Sequence, residues 1–219
     1  MMDRDVEECK KEIQNFVEMI NVNTNKVHNE LFQALAKKIL FFKYIIESFN
    51  NGHYAKFMIY DMLMTVYLIV GHSKREIYNS HRSLIENFMR YCMELDDNDS
   101  MGVMNLFRKF NEKYSNSDTK NIIRNIESEY DDCCNYVHSN IKADINLYLY
   151  LQDIIKDKGV CDGLDKENML KRILGFYEYL VRFWCFINPN SINKVFYRKN
   201  QTLKYLIGED NYNIARRAV

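Results

Sequence analysis

The chain has 219 residues, 47% apolar and 27% charged, a balance that suits one soluble globular core. Thirty basic and 30 acidic residues cancel, which excludes a protein that coats nucleic acid along its whole surface, since such binding rests on neutralised phosphates, but leaves a local basic patch open. Only 7 Gly and 1 Pro occur, too few turn-formers for a β-sandwich or a βαβ protein. Helices joined by Asn, Asp and Ser loops remain, so the expectation is an all-α fold, a single bundle of about eight or nine helices.

In chain order, a charged segment from Asp3 to Ile20 begins with an Asp cap. Leu31, Leu35, Ile39 and Phe42 mark the apolar face of a second helix. Phe57 to Val70 is the most apolar window. It is about 14 residues long where a membrane span needs roughly 20, and it contains Asp61, so it reads as a buried core helix. A fourth helix follows a Ser73 cap and runs to about Leu95, with a stripe of Ile77, His81, Leu84, Phe88, Cys92 and Leu95. Met101 to Tyr114 is the fifth. The sixth carries Ile122, Ile126, Tyr130, Cys133, Val137 and Ile141, again stepping by three or four. Asp144–Asp157 and Lys166–Ile187 make the seventh and eighth, and Asn188, Pro189 and Asn190 form a stop. The bundle is thus assigned to residues 1–189. The basic tail, 190–219 (Lys194, Arg198, Lys199, Lys204, Arg216, Arg217), is expected to pack on the same domain.

Six cysteines (Cys9, Cys92, Cys133, Cys134, Cys161, Cys185) are scattered without any Cys-x-x-Cys spacing. No zinc site or other metal site follows from that spacing. With no signal peptide, they read as reduced thiols of a cytoplasmic protein.

Two fragments put polar groups beside an apolar stripe rather than opposite it: Arg82-Ser83-Leu84-Ile85-Glu86 and Asn135-Tyr136-Val137-His138-Ser139. Arg82 and Glu86 stand four apart on one helix face. That spacing equally describes a half-buried ion pair worth a fraction of a kcal/mol. His138 by itself describes a hydrogen-bonded histidine at a helix end sooner than a catalytic one.

Together the two fragments resemble a pattern in bacterial all-helical proteins that occur near phage-defence and abortive-infection genes and are similar to the HEPN superfamily. The resemblance covers about Ile77 to Asn140. It implies Arg82, Glu86, Tyr136, His138 and Ser139 as site residues, no cofactor, and a metal-independent ribonuclease working as a dimer. His138 would move protons to and from a ribose hydroxyl while Arg82 stabilises charge on the phosphate. The family's Arg-x(4–6)-His motif is absent before His138, where Asp131, Asp132 and Cys133 stand. A formal match exists at Arg75 and His81, but His81 falls on a core stripe. The alternative reading is a non-catalytic sensor or adaptor that binds a protein partner in a defence complex. The partners expected across the two readings are RNA and a protein partner or a homodimer. Two further features carry bland alternatives. The acidic run Glu94 to Asp99 lacks the spacing of a calcium loop. The aromatic-basic tail (Phe196, Tyr197, Arg198, Lys199, Lys204, Tyr205) reads as a stacking platform for RNA or as an amphipathic closing helix.

Overall fold

The computed structural model describes residues 4–20, 26–49, 52–71, 74–137 and 164–217. Among them are nine helices and no strand: α1 (Arg4–Ile20), α2 (Lys26–Phe49), α3 (His53–Ile69), α4 (Lys74–Cys92), α5 (Val103–Tyr114), α6 (Lys120–Val137), α7 (Leu164–Ile187), α8 (Pro189–Val195) and α9 (Asn200–Arg217). The all-α expectation holds. The helix expected over 144–157 lies outside the described residues. No described helix is long and apolar enough to cross a membrane.

α2 and α7 form the apolar centre. Phe32, Leu35, Phe41, Phe42 and Ile45 of α2 and Tyr177, Leu180, Val181 and Phe183 of α7 are fully buried. α3 and α4 make the closest-packed pair, α6 lies along α4, and α9 packs on α7 and α2. Aromatic rings knit the layers: Phe42 meets Phe88 of α4 and Trp184 of α7 edge-on, and Phe110 of α5 stacks on Phe183 at 5.1 Å. Such offset and T-shaped pairs add about 0.5–1.5 kcal/mol each beyond the area they bury.

α4 stops three residues before the stripe suggests, and the reason is local. Leu95 N–H donates to the Arg90 carbonyl and Glu94 N–H to Tyr91, a Schellman closure with Glu94 in the left-handed region at φ 56°. Cys92 and Leu95 keep the apolar spacing, but the backbone has already turned. Pro189 sits in the first turn of α8, where its missing N–H costs nothing. α9 is broken inside, with Gly208 at φ 83°, ψ 168°, a region open essentially to glycine alone.

Candidate functional site

The α4–α6 interface carries two polar clusters on either side of a buried stripe. The two helices pack on each other, and each buries a stripe: Ile77, His81, Leu84, Ile85 and Phe88 on α4, and Ile123, Ile126, Tyr130 and Cys133 on α6. Leu84 is fully buried, and Val137, the last described residue of α6, is half-buried.

The outer cluster gathers Arg82, Glu86 and Tyr130. Arg82 Nε donates to Glu86 Oε1 at 3.2 Å and to the Tyr130 hydroxyl at 3.0 Å. That hydroxyl in turn donates to Glu86 Oε1 at 2.9 Å, and the guanidinium lies 5.5 Å from the Tyr130 ring centre. Arg82 and Glu86 keep 26% and 24% side-chain exposure, so solvent still reaches both. Burial pushes the Tyr130 phenol up, partly opposed by Arg82, and the residue acts as a neutral bridge. Of the sequence-predicted site, then, Arg82 and Glu86 do meet. Tyr136 is 39% exposed and stacks on Tyr78 at 4.4 Å, tying the last described turn of α6 to α4. His138 and Ser139 lie outside the described residues.

The inner cluster holds residues that the motif reasoning did not assign to a site. His81 is fully buried, with its ring edge-on to Phe176 at 4.4 Å. Its Nε2 lies 3.3 Å from Glu129 Oε1, yet among the described residues neither ring nitrogen has a hydrogen-bond partner of acceptable geometry. The imidazole and the carboxylate are therefore in close contact without a formed hydrogen bond. A buried polar group left unpaired costs roughly 1–3 kcal/mol. Burial pushes the His81 imidazole down, against the pull of Glu129. Arg172 of α7 spans the outer side, with Nε to Glu129 at 2.8 Å, one terminal nitrogen to the Tyr78 hydroxyl at 3.0 Å and the other to Asp132 at 2.7 Å. Burial alone would raise the Glu129 carboxyl, but His81 and Arg172 outweigh it and hold it below its ordinary value. Cys133, one turn after Glu129, is a fully buried free thiol, pushed up by burial.

The Arg75 and His81 match is not a ribonuclease pair here. Arg75 is exposed, while His81 has no surface at all, so no RNA phosphate can reach the imidazole. The acidic run also has structural partners. Asp97 caps the His53 N–H at 2.9 Å, Asp96 caps Asn98, and Asp99 pairs with Arg90. Phe196 of the tail is buried and stacks on Phe41 at 6.0 Å, which removes it from any base-stacking platform. Lys199 is paired with Asp5 at 3.0 Å.

A third polar group sits between α3 and α4. Asp61 Oδ2 accepts from Ser83 Oγ at 2.8 Å and Asn87 Nδ2 at 2.7 Å, and burial raises its pKa. With Asp61 turned inward, the outer face of α3 is left apolar apart from Lys56. Phe57 is 44% exposed, Tyr60 57%, Leu63 40% and Tyr67 54%, with half-buried Met64 between them. His53 extends the stripe, its ring 4.2 Å from that of Phe57. Beside the stripe a groove of about 670 Å³ is lined by Ile13 and Phe16 of α1, Ile39 and Lys43 of α2, and Ile59 and Leu63 of α3. Compared with protein-family models, curated proteins and solved structures, the chain matches none of them.

Proposed function

We propose that the protein is a non-catalytic helical interaction module that pairs with a second copy of itself along α3. The carrying observation is the spacing of the exposed stripe. His53, Phe57, Tyr60, Met64, Tyr67 and Gly71 step by four and three alternately, the 3.5-residue repeat that suits a helix–helix seam.

An antiparallel copy would bring Phe57 opposite Tyr67, Tyr60 opposite Met64, and His53 opposite Gly71, where no heavy atom lies within 4 Å of a Cβ position. Each large side chain thus meets a partner of fitting size, and the two-fold arrangement makes the surface complementary to itself. The three aromatics, at about 200 Å² each, expose roughly 300 Å² per copy. That is less than half of the roughly 800 Å² per partner in a standard interface, and the groove beside Leu63 supplies further apolar wall. The HEPN-like proteins that the sequence resembles also work as dimers. The Arg82–Glu86–Tyr130 cluster supports a non-catalytic reading, because each of its members is engaged by the other two.

Sedimentation velocity at tens of micromolar tests the pairing. A dimer that dissociates in Tyr60→Lys, with helicity unchanged by circular dichroism, is the expected result. A wild-type monomer, or a dimer indifferent to both Tyr60→Lys and Phe57→Glu, overturns it.

A second reading is favoured by one observation: Arg82 remains partly exposed beside Tyr130, about two turns before Val137, the last described residue of α6. On that reading the protein is a metal-independent endoribonuclease of a defence or toxin system. His138 would take the 2′-hydroxyl proton as that oxygen bonds to phosphorus, and a proton would return to the departing 5′ oxygen. RNA cleavage by purified protein in a chelator, lost in His138→Ala and Arg82→Ala, would establish it. RNA left intact with and without Mg²⁺ rules it out.

A further inference from the structure

We propose that His81, Glu129 and Cys133 form a buried site for one zinc-type divalent metal ion between α4 and α6. Three donor atoms of three kinds, an imidazole nitrogen, a carboxylate oxygen and a thiol sulfur, all lie within 4.8 Å of one another. Glu129 and Cys133 are one helical turn apart on α6 and project to the same side, and His81 faces them from α4. Nitrogen, sulfur and carboxylate oxygen are the donor set of zinc, where Mg²⁺ and Ca²⁺ would require oxygen alone.

The second, independent observation is His81 itself. A fully buried imidazole is aimed at this cluster, and among the described residues neither nitrogen has a properly aligned hydrogen bond. A metal would complete it. Tetrahedral zinc with bonds of about 2.0–2.3 Å places its ligand atoms roughly 3.3–3.8 Å apart. The cluster must therefore contract by about an ångström, which side-chain rotation of Glu129 and Cys133 can provide.

Arg172 is the obvious objection, since a guanidinium beside a cation repels it. Its charge is matched by Asp132 at 2.7 Å. Its Nε holds Glu129 Oε1, the same oxygen that faces His81, so the carboxylate must turn its second oxygen to the metal or share the first. It then acts as an outer partner that orients the ligating carboxylate, the usual arrangement behind metal ligands. A thiolate and a carboxylate cancel the divalent charge, so the site is neutral as a whole. Three protein ligands leave a fourth position open. The site does not depend on the α3 pairing and would stand if that pairing failed.

The test uses the full chain, stripped with a chelator under reducing conditions and titrated with Co²⁺ as an optical stand-in for Zn²⁺. One equivalent should bind, with a thiolate-to-cobalt charge-transfer band and tetrahedral visible bands that Zn²⁺ abolishes. Cys133→Ser should remove the band and weaken Zn²⁺ binding on the order of 100-fold or more, beyond the roughly 10–100-fold that loss of an outer partner brings. Cys9→Ser and Cys185→Ser should leave it unchanged. Because His81 is in the core and its variants can fail to fold, X-ray absorption of the zinc-loaded wild type is the second measurement. One sulfur at about 2.3 Å with nitrogen and oxygen at about 2.0–2.1 Å is expected. No charge-transfer band, a band that survives Cys133→Ser, or a shell of several sulfurs overturns the proposal.

Discussion

Replacing Tyr130 with Phe deletes one oxygen from the middle of the outer cluster and leaves the ring packed against Phe107 at 4.9 Å. The lost atom accepts from Arg82 and donates to Glu86. Fully buried bonds to charged groups are worth about 1.5–3 kcal/mol each. Here both partners remain about a quarter exposed and still face each other at 3.2 Å, so water and their own pairing recover much of the loss. The expected cost of Tyr130→Phe is about 1 kcal/mol, or a Tm drop of about 2–4 °C for a chain of this size. Arg82→Ala should cost a similar amount, part of it the contact over the Tyr130 ring. The informative quantity is the double variant. Because the two residues share one bond, it should lose less than the sum of the singles by about 0.5–1 kcal/mol. Urea unfolding with an unchanged m value is the assay. A coupling within about 0.3 kcal/mol of zero would mean that the cluster does not hold together in solution.

Three other outcomes follow from features of the backbone and core. Asp61 has a folded-state pKa raised above its ordinary 3.8, by burial first and by Glu86 to a lesser degree, with Ser83 and Asn87 opposing. The ionised form is therefore disfavoured in the fold, and wild type should gain on Asp61→Asn as pH falls through the raised value toward 3.8. Thermal unfolding across a pH series checks it, and a constant gap between the two proteins contradicts it. Gly208→Ala should destabilise by about 1–3 kcal/mol through backbone strain alone, because no heavy atom lies within 4 Å of where the methyl would go; calorimetry reads the change. Glu94→Gly should stabilise by up to about 1 kcal/mol, since it relieves a left-handed residue at a helix end, seen as a higher urea midpoint.

Local periodicity accounts for what the sequence made legible. The stripes on α4 and α6 announce helices because apolar residues every three or four positions can be buried only on one helical face. The Arg82–Glu86 pair was visible for the same reason, as i and i+4. Tyr130 appeared only as a member of the stripe, because a tyrosine's packing and its hydroxyl's partner are separate facts, and the second depends on a neighbouring helix. Arg172 was invisible as a site residue: its role exists only because α7 arrives across the Glu129 side of α6. Phe196 misled in the opposite direction, since a phenylalanine among Lys and Arg suggests a platform until its burial against Phe41 is seen. The apolar face of α3 hid in plain view. A window hydrophobic on all sides reads as core, and only the inward turn of Asp61 reveals which side is left outside.

The chain's single tryptophan stands at a junction with an experimental use. Trp184 of α7 is 5% exposed, stacks flat on Tyr91 of α4 at 4.8 Å and 7°, and meets Phe42 of α2 edge-on. One fluorophore therefore watches three helices from a dry position, with no background from any other indole. Its emission should shift to the red when α7 leaves α4 and α2. If that shift coincides with the loss of far-ultraviolet circular dichroism, the bundle unfolds in one step. If it comes first, the α7 junction opens while the other helices persist.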